Sequence, residues 1–303
     1  MNRQITFLLF GFTLLFNQVS GQSFKLQFEN LIFKKDTGRI QQFLEKWEKT
    51  DSNDPELFIA NFNHCMLKSK MQVVTPKQDP NNKNVLQNLN KNTTEEELSD
   101  FILGTIYYEP VSLSIGFGWI SKGIEKHPDR LDMRFEKIRM LGEIEDYENF
   151  IAEIIKTIDY SNVNKNKWIW TDGKALDNPR EFMLDSIEDY QVKYDNSDSN
   201  EELEYKKRIA ETALRYYPDH IESLSNLSKI FMLQERYDKA LEPLLKAEKL
   251  NPEGYFVLCN IAQVYRLTGD NKNAIKYYEL VLIHGEEQYK IYAQEQLDHL
   301  IRK

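Results

Sequence analysis

Apolar, small and amide side chains recur at a fixed spacing of 34 residues in the stretch 221–284. Ala240 and Ala274 occupy one of the repeated positions, and such small side chains let two helices cross closely. A period of this length indicates stacked helical hairpins. The pattern therefore predicts two clear repeats, over 221–254 and 255–285. The matched pairs are Leu224 and Leu258, Asn226 and Asn260, Leu227 and Ile261, Phe231 and Tyr265, Leu233 and Leu267, Ala240 and Ala274, and Leu241 and Ile275.

Prolines that close helices extend the pattern upstream. Pro218 and Pro252 are 34 residues apart, and Pro128 and Pro218 are 90 apart, which is two units of 34 plus 22. A loop of nearly that extra length runs from 160 to 180. The remaining helical periodicity predicts degenerate hairpins before the clear repeats and a capping helix over 286–303, whose charged residues keep the end of a stack soluble. The stretch 22–303 is thus predicted to be one all-α solenoid.

A small β insertion is predicted near 73–108. The stretch 75–94 is rich in Pro, Asn, Lys and Gln and cannot continue a helix. The stretch 101–108 is uncharged and rich in aromatic and β-branched residues, so its residue types favour a strand, although periodicity alone does not separate a strand from a buried helix. Its expected pairing partner is either 71–74 or 85–89.

The repeats resemble the tetratricopeptide repeat family, in its secreted or periplasmic bacterial form. The resemblance rests on the period, the small positions and the closing sequence Leu250-Asn251-Pro252. The sequence departs from the family pattern at Glu235, where Gly is usual, at Val281, where a small residue is usual, and at Gly285, near the expected proline. The resemblance implies a right-handed α-solenoid that binds a peptide or protein segment on its concave face, without chemistry of its own and without a cofactor.

The resemblance also implies which residues line that face. In the family, the inner positions are the second, fifth, sixth, ninth and twelfth of the first helix of each hairpin. Counted from Ile221 and Tyr255, they are Glu222, Ser225, Asn226, Lys229, Met232, Phe256, Cys259, Asn260, Gln263 and Arg266. We expect Asn226, Lys229, Asn260, Gln263 and Arg266 to bind the partner, since an amide can pair with an extended backbone through both its donor and its acceptor. The alternative is that the two asparagines belong to the repeat framework.

A second candidate surface is the loop that contains Trp168 and Trp170. Two indoles separated by one residue, among polar side chains, suit stacking on a sugar or on a partner's aromatic group. The resulting alternative function is an extracytoplasmic glycan-binding protein. The competing interpretation is that these indoles fix the loop onto its own scaffold.

The amino terminus has the three-part form of a secretory signal peptide. Arg3 precedes an uncharged run, 5–16, which is too short to span a bilayer and is followed by a short polar stretch. Val19 and Gly21 suit signal peptidase, so cleavage is expected before Gln22, leaving residues 1–21 as the signal. An uncleaved anchor is the alternative. The mature chain is therefore expected to be periplasmic or secreted.

Charge and motif content narrow the function further. The full sequence has 39 basic and 48 acidic residues, a net charge of -9, and loss of Arg3 with the signal changes this to -10. Such an acidic chain does not suit nucleic-acid binding, which needs a clustered basic face. Metal-ligand, nucleophile and phosphate-loop motifs are absent from the sequence, and its histidines are dispersed, so no enzyme activity, metal or cofactor is expected. Cys65 and Cys259 are expected to be buried thiols, with a disulfide between them as the alternative.

Overall fold

A computed structural model describes residues 24–34, 36–76, 102–194 and 200–302. Its backbone is helical apart from two small two-stranded ribbons, and the helices are arranged as consecutive hairpins. The contacts divide the chain into two compact units. Unit 1 comprises the described residues up to Lys137 together with Trp168–Leu176, and unit 2 comprises Ile138–Lys167 and the described residues from Asp177 onward. Among the described residues, no helix combines the length and the apolar character that crossing a membrane requires.

Unit 1 is mainly helical, and the fully buried Trp47 lies in a core shared by the first three of its helices. The side chain of Asp54 joins two of these helices, because it accepts a hydrogen bond from the Trp47 indole and another, 3.0 Å long, from the backbone N–H of Glu56. That second bond caps the helix that begins at Pro55. The helices are α1 (24–33), α2 (Thr37–Thr50), α3 (Pro55–Ser69), α4 (Pro110–Lys126) and the beginning of α5 (Leu131–Glu143).

Helices α3 and α4 pack closely because α4 presents glycine to α3. A Cβ added at Gly116 would lie 2.9 Å from the Cβ of Cys65, and one added at Gly123 would lie 2.8 Å from the Cβ of Phe58. The two glycines are seven residues apart and therefore lie on one face of α4. Any larger residue at either position would push the two helices apart.

An antiparallel ribbon extends this helical pair. Its strands are β1 (Lys70–Pro76) and β2 (Ile102–Tyr108), with Lys70 opposite Tyr108. The predicted β insertion is thus confirmed, with its second strand described over 102–108, and so is the pairing with 71–74. The alternative pairing segment, 85–89, lies outside the described residues.

Unit 2 contains the two clear repeats, and their helices start and end 34 residues apart, as predicted. Ala240 and Ala274 are fully buried where successive helices pack, and Tyr278 fills the adjoining core. From α8 onward, each helix packs on the next one in the chain. The helices are α6 (Tyr147–Val163), α7 (Pro179–Lys193), α8 (Asn200–Tyr216), α9 (Ile221–Leu233), α10 (Tyr237–Leu250), α11 (Tyr255–Leu267), α12 (Asn271–His284) and α13 (Glu287–Ile301).

The turn inside a hairpin has the same form in three places. In each, a residue with positive φ follows the first helix, and the N–H of the next residue bonds back to the carbonyl five positions earlier, which satisfies a helix-end carbonyl. A glycine supplies the positive φ only in the last of these turns. The residues with positive φ are Glu145, Glu235 and Gly269, and the backward bonds are Asp146 to Leu141, Arg236 to Phe231 and Asp270 to Tyr265.

Helix α5 thereby joins α6 in a hairpin of the same kind as the clear repeats. The carboxylate of Asp146 caps α6 by accepting from the backbone and side-chain N–H groups of Asn149. Asp270 caps α12 through Asn273 in the same way. One of the degenerate hairpins predicted before the clear repeats thus has the same turn and the same cap as the last clear repeat.

Candidate functional site

The predicted partner-binding residues lie on α9 and α11, the first helices of the two clear repeats. Lys229 is exposed, and the other four, Asn226, Asn260, Gln263 and Arg266, are half-buried. The two helices are in contact, so their side chains belong to neighbouring parts of unit 2. This surface, defined by those five residues, is called the first-helix face below.

Asn226 and Lys229 together line a cleft of about 80 Å³ formed by α7, α8 and α9. The Asn226 amide donates a long hydrogen bond of 3.4 Å to the Glu188 carboxylate on α7. Burial raises the pKa of Glu188, and the Asn226 bond acts in the opposite direction. Two apolar side chains at the cleft are largely exposed, Val192 at 72% and Leu233 at 43%. The cleft therefore combines amide, charged and apolar groups within one small volume.

Gln263 and Arg266 lie toward the following helices. The Gln263 side-chain oxygen accepts a 2.9 Å hydrogen bond from the Tyr292 hydroxyl on α13. Burial raises the pKa of the Tyr278 hydroxyl, and the nearby Arg266 guanidinium partly offsets that rise. The structure thus brings Asn226 and Lys229 together at one cleft, whereas Gln263 and Arg266 are joined to the end of the repeat array.

Two positions carried over from the family do not face a ligand. Ser225 is 4% exposed and Cys259 is 8% exposed, so both belong to the core. Burial raises the pKa of the Cys259 thiol to about 11. Cys65 is buried as well, and both cysteines are free thiols, as expected. Phe256, by contrast, is 50% exposed at the beginning of α11, and its ring contacts Tyr289 edge to face at 6.4 Å.

The tryptophan loop folds against unit 1. Trp168 is 2% exposed, and the guanidinium of Arg134 lies 5.5 Å from its ring centre. Trp170 is half-buried and contacts Phe135 edge to face at 6.2 Å. Because the Trp168 ring is enclosed, it is not available to stack on a sugar. The glycan-binding alternative therefore cannot use Trp168. Its burial agrees with the other interpretation, in which the indoles hold the loop against its own scaffold.

A buried charge network holds the same loop, and the sequence did not predict it. The Arg130 guanidinium is 2% exposed and lies 2.7 Å from Glu56 and 2.6 Å from Asp132. Hydrogen bonding to these carboxylates raises the pKa of Arg130 against the opposing effect of burial. Thr171 donates to Asp132, and the backbone N–H of Asp172 donates to Glu56. Every member has a partner, so the network supports the fold of unit 1.

This fastened segment has its own short elements. They are β3 (Ile169–Trp170), a 3-10 turn (Thr171–Gly173) and β4 (Lys174–Ala175), and β3 pairs with β4. The backbone N–H of Ile169 donates a 3.0 Å hydrogen bond to the Asp129 carbonyl. Lys25 on α1 forms an ion pair of 2.9 Å with Asp172. The residues that meet around Arg130 are distant in the sequence, so no local sequence pattern could predict this network.

The described residues do not form a cluster of three or more His, Cys, Asp or Glu side chains able to hold a metal ion. The chemistry that the first-helix face offers is recognition through amide hydrogen bonds, charge and apolar contact.

Comparison with protein families identifies part of the repeat region. Residues 257–282 match the family model described as tetratricopeptide repeat. The chain carries a tetratricopeptide repeat. The matched residues cover α11 and most of α12, and the 34-residue correspondence of helices and turns extends the tetratricopeptide pattern to α9 and α10. A search of curated protein sequences gives no match.

Solved structures give weak likenesses. PilW, described as a widely conserved type IV pilus biogenesis factor, has 10% identity and a TM-score of 0.40, over 90% of this chain and 98% of that one. MamA from Desulfovibrio magneticus RS-1 has 13% identity and a TM-score of 0.36, over 56% and 84%. Scores this low support no inference about function, which rests on the residues described above.

Proposed function

We propose that this protein is a non-catalytic scaffold that binds a peptide or protein segment on the first-helix face, outside the cytoplasm. The cleft lined by Asn226 and Lys229 carries the proposal. Two residues that the family resemblance assigned to the inner face meet there, next to the exposed Val192 and Leu233. Amides that bind a backbone and apolar contacts that select side chains are the combination that peptide-binding surfaces use.

The size and charge of the cleft describe the segment it suits. A volume of about 80 Å³ holds roughly two or three water molecules, so it takes one small side chain and not a whole ligand. Lys229 makes no ion pair within the part of the chain that the structure describes, and it is exposed. An extended segment with a short apolar residue beside an acidic one would fill the cleft and pair with this ammonium group.

Site-specific cross-linking in intact cells tests the proposal. A photoreactive amino acid replaces Lys229, and in a matched control it replaces Lys246, an exposed residue on the second helix α10. We expect a discrete cross-linked protein, identified by mass spectrometry, from position 229 and not from position 246. Equal products from both positions would show that the first-helix face has no preference.

Substitution then measures the contribution of the face. Asn226→Ala with Lys229→Ala should fold normally and release the cross-linked partner, whereas Asn271→Ala with Lys239→Ala removes the same residue types from exposed positions on second helices and should retain it. The share of affinity due to Lys229 should fall as salt rises. If the Asn226→Ala, Lys229→Ala variant still captures the cross-linked protein, the binding site lies elsewhere.

The proposed compartment rests on the amino-terminal sequence. We expect the purified native protein to begin at Gln22 and to fractionate with exported proteins, because residues 1–21 have the form of a cleaved signal. Amino-terminal sequencing provides the measurement. An intact Met1 would contradict cleavage without affecting the binding proposal.

A further inference from the structure

An open groove of about 520 Å³ lies between α1 and α2 in unit 1, well apart in sequence from the first-helix face. Four residues line each wall, spaced by three, one and three positions, so each wall follows one face of α1, with Lys34 just after its end, or of α2. The walls extend over about 10 Å, or two helical turns. Grooves of this volume are typical of sites that enclose a ligand or a peptide side-chain row.

The groove is cationic although the chain is acidic. Lys34, Arg39 and Lys46 line it, three amide side chains accompany them, and no acidic residue is part of the lining. Arg39 is paired with Asp36 at one end. Lys34 and Lys46 are exposed, and neither has a carboxylate within ion-pair distance among the residues that the structure describes. Two ammonium groups therefore remain to meet an anionic ligand.

The floor of the groove is apolar. Leu31 and Phe43 line it and are only partly buried, and both rest on the core that contains Phe28 and Leu44. An apolar floor between cationic rims matches a helix with one apolar stripe and acidic residues at its sides. A planar anionic membrane could contact the rims, but it would leave the floor between the two walls uncovered.

We propose that the groove between α1 and α2 binds an acidic amphipathic helix of a partner protein. The helix would place its apolar stripe on Leu31 and Phe43 and its carboxylates beside Lys34 and Lys46. This site is independent of the first-helix face, so either proposal can fail alone.

A peptide of about fifteen residues serves as the probe, with Leu at helical spacings of three and four and Glu at the other positions. Its twin carries Lys in place of every Glu. Fluorescence anisotropy with the full chain should show binding of the acidic peptide, weaker binding as salt rises, and none of the basic twin. Comparable binding of both twins would overturn the proposal, because it would show apolar contact without charge selection.

Charge reversal locates the binding. Lys34→Glu with Lys46→Glu should weaken the acidic peptide about tenfold or more. The matched pair Lys49→Glu with Lys68→Glu changes the net charge equally at exposed positions of unit 1 outside the groove, and should bind as the wild type does. Circular dichroism checks that both pairs remain folded. Equal loss in the two pairs would reject the groove as the site.

Two other occupants of the groove, an anionic membrane surface and a second copy of this chain, would each give a distinct experimental result. Sedimentation with vesicles containing anionic phospholipid would favour a membrane surface if the wild-type chain bound them and did not bind the acidic peptide. Analytical ultracentrifugation would favour a second copy of this chain if Lys34→Glu with Lys46→Glu dispersed a wild-type dimer. Either result would overturn the proposal.

Discussion

Glu235 and Gly269 occupy the same position in the turns of successive hairpins, and both have positive φ, 57° and 80° respectively. The sequence at position 235 departs from the family's usual glycine, but the backbone keeps the conformation that favours glycine. A side chain in this region crowds its own carbonyl, which costs about 1–2 kcal/mol, whereas glycine has no Cβ to crowd.

Replacement at these turns should therefore have opposite effects. Glu235→Gly should stabilise the protein by about 0.5–1 kcal/mol, because relief of the strained turn exceeds the extra entropy of glycine in the unfolded chain. Gly269→Ala should destabilise it by about 1 kcal/mol or more. Urea denaturation followed by circular dichroism gives both values. Glu235→Ala is the control, since it removes the side-chain charge but retains the Cβ, and a gain there equal to that of Glu235→Gly would contradict the explanation.

The close helix crossing at Ala274 should not tolerate a larger side chain. Ala274 is fully buried, so Ala274→Leu must displace neighbouring helices and should cost about 1–3 kcal/mol. Glu279→Leu adds a similar group at an exposed position of the same helix and should change stability by less than about 0.5 kcal/mol. A wild-type melting temperature for Ala274→Leu would show that the crossing is not tight.

The two indoles of the loop should differ in their effect on stability. Trp168 is almost fully enclosed, so Trp168→Ala should cost about 3–5 kcal/mol by leaving a cavity. Trp170 is half-buried, and Trp170→Ala should cost clearly less. Thermal unfolding of the two variants compares them directly. If Trp168→Ala melted like the wild type, the loop would not depend on this ring.

Glu188 should make stability depend on pH. Burial raises the pKa of its carboxyl above the ordinary 4.5, so the folded chain disfavours ionisation. Below pH 4.5 the carboxyl is neutral in both the folded and the unfolded chain, so its burial costs no ionisation energy. As pH rises through the raised folded pKa, the free energy of unfolding falls, because the unfolded chain ionises more readily. Glu188→Gln keeps an acceptor for Asn226 and should be more stable than wild type at neutral pH, with no difference below pH 4.5. Melting curves across this range measure the gain, and a gain of equal size at all pH values would exclude ionisation as its cause.

The sequence predicted what depends on local spacing. The helical hairpins followed from their 34-residue spacing and from small residues such as Ala240 and Ala274, which allow a close helix crossing, and the strand at 102–108 followed from residue types. The Arg130–Glu56 pair was not predictable, because its members are 74 residues apart and each resembles an ordinary surface charge. At the candidate site, Asn226 and Lys229 were predicted, but Val192 and Leu233 were not, since an apolar residue on a helix usually indicates the core.

The assignment of Trp168–Leu176 to unit 1 limits how the protein can be divided. The chain passes from unit 1 to unit 2 after Lys137, returns for this segment, and passes over again at Asp177. A fragment ending at Lys137 would lack Thr171 and Asp172, leaving the carboxylates of the buried network without two of their donors. A fragment beginning at Asp177 would lack α6. No single cut leaves both units complete, so dividing this protein into two fragments will disturb at least one of its halves.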